Sequence, residues 1–249
     1  MSADKKKTKQ EGGTYETIKV IVQALLLALV VRTFLFQPFS IPSGSMKDTL
    51  LINDYLFVSK FSYGYSRYSF PFGLPLFSGR VWSSAPERGD VAVFKLPTDN
   101  KTDYIKRVIG LPGDKIQVRD SILYINGEQV ERRRIDDYIE KDSYGNVRRV
   151  PRYVETLPNG VSYDTLDLTS RGSLDNTKVY TVPANHYFMM GDNRDNSADS
   201  RVGSVGPVPF ENFVGRADII FFSLEEGQRA WMVWKWPWTV RWSRIGTPL

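Results

Sequence analysis

An apolar run near the N-terminus constrains this chain more than any other feature of its sequence. Residues 18–36 read IKVIVQALLLALVVRTFLF, and fifteen of these 19 residues are apolar. As an α-helix the run would span about 28 Å, close to the roughly 30 Å hydrocarbon core of a bilayer. Lys19 and Arg32 lie near its ends, where long basic side chains reach the headgroups, and Gln23 is the one polar residue well inside it. The sequence therefore predicts a transmembrane anchor at residues 18–37.

The charges that flank the run predict its orientation. Four lysines lie between residues 5 and 9 and a fifth is Lys19, whereas segment 37–57 contains a single basic residue. Because basic flanks stay in the cytoplasm, we expect residues 1–17 to form a cytoplasmic tail. Residues 38–249 would then form a domain on the extracytoplasmic side of the membrane.

Two other interpretations of the apolar run stay open. It could be a cleavable signal peptide, because the small residues Ser43-Gly44-Ser45 follow it, although Pro42 and the long spacing fit such a site poorly. It could also be a buried core helix of a soluble protein.

Beyond Pro38 the sequence changes to short β-type runs separated by Gly, Pro, Asn and Asp. Asn126-Gly127 is a strong hairpin signal, and Leu111-Pro112-Gly113-Asp114 favours a type II turn. The predicted fold class is mainly β, with a single N-terminal transmembrane helix followed by an antiparallel β-sheet domain. Polar residues at about 131–180 predict an inserted β-ribbon subdomain. The strand candidates are residues 54–61, 90–96, 103–110, 115–120, 122–130, 186–192 and 217–224.

Two aromatic segments, 62–82 and 231–242, contain every tryptophan of the chain. Tryptophan and tyrosine favour the membrane interface, so the two segments predict contact with the lipid bilayer. Ordinary packing in the core and in hairpins is the alternative.

Composition excludes several kinds of chemistry. The 249 residues contain no cysteine, which removes thiol catalysis and thiolate zinc sites, and His186 is the only histidine. His186 lies where a loop enters the strand candidate 186–192, and a solvated side chain is expected there. The net charge is +5, but the basic residues are scattered and match no nucleic-acid motif, so we expect no nucleic-acid partner.

A serine and a lysine are the candidate catalytic residues that remain. Ser43 and Ser45 flank Gly44 in a small turn, which lets a hydroxyl project and leaves backbone N–H groups available for an oxyanion. A lysine can act as the base only if burial lowers its pKa. Lys106 alternates with Tyr104 and Val108 along one strand face, which is an apolar setting. A surface Lys-Arg pair with Arg107 is the alternative.

Polar residues are dense at 191–201, directly after an apolar strand candidate. An EF-hand calcium loop does not fit, because counting from Asp192 or Asp195 places serine where glycine is required and glycine where glutamate is required. Structural ion pairs, Asp199 with Arg201 or Asp195 with Arg194, are the simpler interpretation. We therefore expect no metal and no cofactor.

Taken in order, these clusters resemble bacterial type I signal peptidase, the membrane-bound Ser-Lys protease family. The matching stretches are FSIPSGSM (39–46), RGDVAVFKLP (88–97), DYIKRVIGLPGDK (103–115) and MGDNRDNSADSR (190–201). The resemblance implies a serine endopeptidase that removes signal peptides from exported preproteins after small-x-small sites such as Ala-x-Ala. Its partners would be those signal peptides and the bilayer, and we expect a monomer.

The resemblance also implies the role of each site residue. Ser45 would be the nucleophile and Lys106 the general base. Ser43 would help to bind the oxyanion, Ser197 would orient the lysine amine, and Asp199 and Arg201 would form a supporting ion pair. The residues implied in the substrate pockets are Phe39, Ile41, Pro42, Leu50, Tyr104 and Ile105.

One departure from the family pattern is Lys47-Asp48, which stands where the family usually has proline. Two alternative functions stay open. One is a specialised Ser-Lys processing protease with a narrow substrate, and the other is a membrane-tethered β-domain that binds partners without catalysis.

Overall fold

The computed structural model describes residues 13–70, 73, 77–141, 146–169 and 171–249. The helices are α1 (Gly13–Phe34) and the short α2 (Trp236–Thr239). The first seven strands are β1 (Phe36–Ser40), β2 (Asp54–Ser59), β3 (Val91–Lys95), β4 (Asp103–Gly110), β5 (Lys115–Arg119), β6 (Ile122–Ile125) and β7 (Glu128–Gln129). The others are β8 (Glu131–Lys141), β9 (Val147–Thr156), β10 (Ser162–Leu166), β11 (Tyr180–Thr181), β12 (His186–Met190), β13 (Val208–Pro209) and β14 (Phe213–Ser223).

Helix α1 is long and apolar enough to span a membrane. The rest of the described chain covers almost none of it, and side chains such as Leu25 and Leu27 are each 65% exposed. The core-helix interpretation is therefore wrong, because a core helix would bury its apolar side chains. The helix ends at Phe34, three residues before the predicted end of the anchor, and the chain continues directly into the edge strand β1.

The strands form antiparallel sheets, as predicted. The largest has seven strands in the order β1-β2-β14-β3-β4-β12-β13. A second sheet has the order β11-β5-β6-β7, and its β6–β7 turn places Asn126 and Gly127 at positive φ, 56° and 87°, as the hairpin signal requires. Strand β4 lies between β3 and β12, which places the middle of its backbone inside the sheet.

The predicted inserted subdomain contains a long ribbon. Strands β8 and β9 pair from Glu131↔Thr156 to Lys141↔Val147, and β10 joins the outer side of β9. We call this three-stranded sheet the ribbon. The sequence does not predict β8, β9 and β10 individually, because charged residues interrupt the two-residue alternation that marks a half-buried strand.

The aromatic segments are partly exposed. Trp82 is 81% exposed and Trp238 is 78% exposed, while Trp231, Trp234 and Trp242 are each 60% exposed. Residues 71, 72 and 74–76 of the first segment lie outside the described residues. Contact of these segments with lipid stays a prediction.

Candidate active site

The turn that carries Ser45 is anchored by apolar side chains on its C-terminal side. Met46 and Leu50 are fully buried in the core beneath the seven-stranded sheet, and the Leu50 N–H donates to the Met46 carbonyl oxygen at 2.7 Å. Ser45 itself is 8% exposed. Its hydroxyl therefore lies on a rigid turn and not on a flexible linker.

Asn193 holds the same turn from the opposite side. Its backbone N–H donates to the Ser45 carbonyl oxygen at 3.1 Å, and its Nδ2 donates to the Gly44 carbonyl oxygen at 2.9 Å. No role for Asn193 follows from the sequence alone, and its position in the polar stretch 191–201 is the one signal that points to it. With both carbonyls bound, the turn has a defined orientation.

Lys106 reaches Ser45 from the middle of β4. Its Nζ donates to Ser45 Oγ at 2.6 Å and to the Ile105 carbonyl oxygen at 2.9 Å. The amine lies 5.5 Å from the centroid of the Tyr104 ring, on the face that strand alternation predicted. The structure therefore brings together a hydroxyl and an amine that are 61 positions apart in the chain.

Burial lowers the pKa of the Lys106 amine. The residue is 4% exposed, and burial lowers the pKa of its amine to about 8 because the charged form loses its hydration. The carboxylates of Asp199 and Asp192 oppose this shift, and Arg201 adds to it. A substantial fraction of this amine is consequently neutral near pH 8.

Arg107 is also buried, at 5% exposure, so the surface Lys-Arg pair is wrong. The Arg107 side chain points to the other face of β4 and binds the carboxylate of Asp192 through Nε at 2.9 Å and Nη2 at 2.7 Å. Burial of both faces of a central strand explains how two adjacent basic residues are both removed from water. Each has a different partner: a hydroxyl for Lys106 and a carboxylate for Arg107.

Ser43 and Ser197, which are predicted to assist Ser45 and Lys106, differ in their contacts. Ser43 Oγ lies 3.5 Å from Ser45 Oγ and is exposed, and no hydrogen bond within the described residues uses the Ser45 N–H. Ser197 is buried beside Asp199, and its hydroxyl makes no hydrogen bond to Lys106. The orienting role of Ser197 thus stays a prediction.

Gly191 permits the close approach of this polar loop to the turn. A Cβ at Gly191 would overlap both the Ser197 hydroxyl oxygen and the Ser45 carbonyl oxygen. No other residue type fits there without displacing Ser45 or Ser197.

Asp199 and Arg201 form a buried ion pair with an N···O distance of 2.8 Å. The Arg201 guanidinium and the Gly191 N–H hold the pKa of the Asp199 carboxyl below its usual value, although burial alone would raise it. Arg201 also donates to the Arg194 carbonyl oxygen at 2.6 Å, so this pair stabilises the loop that contains Asn193 and Ser197.

The six residues implied in substrate pockets do not share one environment. Ile41 and Leu50 are buried in one core cluster, and Phe39 and Ile105 pack against that cluster. Tyr104 packs against a neighbouring cluster, and Pro42 is exposed. The partly buried members, which a peptide could reach, are Phe39, Tyr104 and Ile105.

The ribbon contacts the segment that follows Ser45. Lys47 Nζ lies 2.7 Å from Glu140 Oε1 of β8, and Arg152 Nη1 of β9 lies 2.7 Å from Asp48 Oδ2. The two residues that depart from the family pattern are thus the ones that meet the ribbon. No contact of these two residues follows from the sequence alone.

His186 does not belong to this site. Its Nδ1 lies 2.8 Å from the Ala184 carbonyl oxygen, and the hydrogen-bond partners of the Ser45 hydroxyl among the described residues are Lys106 and Ser43. His186 is partly exposed, but it is the first residue of β12, where it pairs with Pro209, and not a loop residue.

A family model and the sequence relatives agree on one family. The model of the family described as signal peptidase, peptidase S26, matches residues 14–222. Signal peptidase I of Rickettsia typhi is 49% identical over 207 residues, covering 80% of this chain and 76% of that protein. Signal peptidase I of Rickettsia canadensis is 46% identical over 225 residues, covering 87% and 83%. A crystal structure of a signal peptidase I from Enterococcus faecalis V583 is 29% identical and covers 53% of this chain and 97% of that chain, with a TM-score of 0.31.

Proposed function

Because this chain belongs to the signal peptidase family, peptidase S26, we propose that it removes signal peptides from exported preproteins with Ser45 as nucleophile and Lys106 as general base. The family consists of serine endopeptidases, so the alternative of a non-catalytic binding domain is wrong. The observation that carries the proposal is the 2.6 Å contact between a buried lysine amine and a serine hydroxyl.

In the first step the neutral amine of Lys106 takes the proton of the Ser45 hydroxyl while Oγ attacks the scissile carbonyl carbon. The carbonyl oxygen becomes an oxyanion, which accepts hydrogen bonds from the Ser45 N–H and the Ser43 hydroxyl. The C–N bond breaks, and the Lys106 ammonium returns its proton to the departing amine. An acyl-enzyme ester on Ser45 and a free mature N-terminus result.

In the second step water replaces the departed amine. Lys106, again neutral, takes a proton from this water as its oxygen attacks the ester carbonyl. Collapse of the second oxyanion breaks the bond to Ser45 Oγ, and the ammonium protonates that oxygen. The signal peptide leaves as a carboxylic acid, which releases its proton to bulk water, and both residues return to their starting states.

We propose a cleavage site of the small-x-small type, such as Ala-x-Ala. Phe39, Tyr104 and Ile105 are partly buried: Phe39 lies on β1, which precedes the Ser45 turn, and the other two lie on β4 directly before Lys106. Shallow apolar surfaces of this kind accept methyl groups and disfavour charged side chains, which would lose hydration without gaining a partner. The same apolar setting keeps the Lys106 amine out of water.

The proposed location is a bacterial inner membrane, with α1 as a single span, a cytoplasmic N-terminus and the β-sheet domain on the extracytoplasmic side. The apolar helix and the lysines at residues 5–9 support it. Those lysines lie outside the described residues. We also propose that the protein is a monomer and that it binds lipid but no nucleic acid.

The test is cleavage of a preprotein with an Ala-x-Ala site by the detergent-solubilised chain and its Ser45→Ala and Lys106→Met variants. We expect wild type to cut after the final alanine and both variants to lose at least about 10³-fold in kcat/KM. Lys60→Met is the matched control, because Lys60 is also buried and burial likewise lowers its pKa to about 8, yet its amine donates to the Ser69 carbonyl oxygen.

Folding of the variants is checked by thermal denaturation. Below pH 8 a pKa lowered from 10.5 to about 8 disfavours the buried ammonium by roughly 3 kcal/mol, so Lys106→Met should be at least as stable as wild type at pH 7. Cleavage by a folded Lys106→Met protein would remove Lys106 as the base. Cleavage by none of the folded forms would favour a narrower substrate.

A further inference from the structure

Three carboxylates that the proposed mechanism does not use converge at the end of the ribbon. Asp167, Asp175 and Asp195 each place a carboxylate oxygen within 4.8 Å of those of the other two. Asp167 is 6% exposed, Asp175 is 4% exposed and Asp195 is half-buried. Carboxylates this close in a partly dry environment repel one another strongly.

Each carboxylate is hydrogen-bonded through one oxygen only. Asp167 Oδ2 accepts from Arg132 Nη2 at 2.6 Å, and Asp175 Oδ2 accepts from the Gly172 N–H. Asp195 Oδ2 accepts from the N–H groups of Leu168 at 2.8 Å and Thr169 at 3.0 Å. Within the described ranges, no donor reaches the Oδ1 atom of any of the three.

The Oδ1 atom of Asp167 is the independent sign of a missing ligand. It is buried and has no hydrogen-bond partner in a residue that is more than nine-tenths buried. A buried anionic oxygen without a partner is costly in free energy, and such atoms call for an ion or an ordered water. The Oδ1 atoms of Asp175 and Asp195 lie near each other, because a Cβ at Gly172 would lie within 3.1 Å of both.

We propose that Asp167, Asp175 and Asp195 bind a calcium ion. Calcium takes oxygen ligands at about 2.3–2.6 Å, so ligands on opposite sides of the ion are about 5 Å apart, and the 4.8 Å limit of this cluster fits that range. Water molecules complete the coordination shell. The site is not an EF-hand, since its ligands come from two segments separated in the chain.

The charges around the three carboxylates favour a cation. The one guanidinium that donates to these three carboxylates among the described residues is that of Arg132. A divalent cation would balance the two charges that remain.

The position of the site gives the ion a role. Asp195 is two residues from Asn193, which holds the Gly44 and Ser45 carbonyl oxygens. Asp167 follows Leu166, whose N–H donates to the Asp192 carbonyl oxygen at 2.9 Å. A bound ion therefore joins the end of β10 to the loop that orients the nucleophile turn. This inference rests on the proposed function in one respect only, the supply of calcium at the proposed extracytoplasmic location. Extracellular calcium sites typically have a Kd of about 10⁻⁴–10⁻³ M.

The test is calcium titration of the full chain in detergent, stripped with EDTA, followed by calorimetry and by thermal denaturation. We expect one saturable site and a rise in Tm of about 3–8 °C at 10 mM calcium chloride. Asp175→Asn and Asp195→Asn should abolish the binding heat and the rise in Tm. In EDTA both variants should melt at or above the wild-type temperature, because each removes one repelling charge.

Asp99→Asn is the matched control, because Asp99 also accepts two successive backbone N–H groups, from Lys101 and Thr102. It should keep the wild-type response to calcium. Absence of a saturable site in the folded wild-type chain would overturn the proposal, as would a calcium response that both cluster variants retain. Peptide cleavage is measured separately, so failure of the metal site and failure of the proposed Ser-Lys mechanism give different results.

Discussion

At the scale of single residues, the setting of Lys106 combines burial with a hydrogen-bonded hydroxyl. Burial alone does not define a catalytic base, since Lys60 is also buried with its pKa lowered to about 8. The two lysines differ in what their amines touch: a serine hydroxyl for Lys106 and a backbone carbonyl for Lys60. A carbonyl oxygen has no proton to give, so only the first arrangement suits proton abstraction.

The pH dependence of cleavage follows from the pKa of Lys106. The base must be neutral, so kcat/KM should rise as pH increases through about 8 and then reach a plateau. The measurement is kcat/KM of the wild-type chain from pH 6 to pH 10, with Lys60→Met run in parallel. The control should give the same profile, and a profile that rises only near pH 10 would contradict a desolvated base.

At the scale of secondary-structure elements, the ribbon supports the nucleophile turn. Strands β8 and β9 each direct one charged side chain to the segment after Ser45, through Glu140 and Arg152. The Lys47 stem covers Gly44, because a Cβ at Gly44 would lie 3.1 Å from Lys47 Cε. Movement of the Lys47 side chain would therefore displace Gly44 and the turn that carries Ser45.

Reversal of the Lys47–Glu140 charges tests this support. Lys47→Glu places two carboxylates together and should lower kcat about 3- to 10-fold, with a smaller change in KM, by displacing the turn. The double variant Lys47→Glu/Glu140→Lys should recover most of the loss, as a double-mutant cycle measures. Arg216→Asp, which breaks a comparable 2.9 Å pair with Asp218 on β14, is the control and should leave kcat unchanged. Equal effects at both sites would argue against a role for the ribbon.

At the scale of the whole molecule, the chain combines a candidate membrane span, α1, with a β-sheet domain. Helix α1 is almost wholly exposed, whereas the β-sheet domain has buried core clusters of its own. A bilayer would remove the apolar surface of α1 from water, which the domain does not do.

The proposed orientation can be measured with single cysteines, because the natural chain contains none. In spheroplasts, a membrane-impermeant maleimide should label Ser84→Cys, at an exposed position of the domain, without lysis. Thr8→Cys should be labelled only after lysis, because the lysine-rich tail stays in the cytoplasm. The unsubstituted chain is the control for background, and labelling of Thr8→Cys in intact spheroplasts would reverse the orientation.

The sequence by itself determined the features that depend on local periodicity and turn chemistry. It placed the apolar helix, seven strand regions and the Asn126-Gly127 hairpin, because these follow from neighbouring residues and backbone preferences. It also offered Ser45 and Lys106 as candidates, through a small turn and through strand alternation, but their roles as nucleophile and base came from the resemblance to a family. The alternation of side chains along β4 did not show which face of the strand is buried, because both faces contain apolar residues.

Only the tertiary structure decided which groups meet. The contact of Lys106 with Ser45, the hold of Asn193 on the turn and the cluster that contains Asp195 each join segments distant in the chain. Such contacts depend on the order of the strands in each sheet and on how the sheets pack. The spacing of side chains within one segment does not encode either of these. Burial on both faces of β4 likewise arises from the layers around it, and it is this burial that lowers the pKa of Lys106.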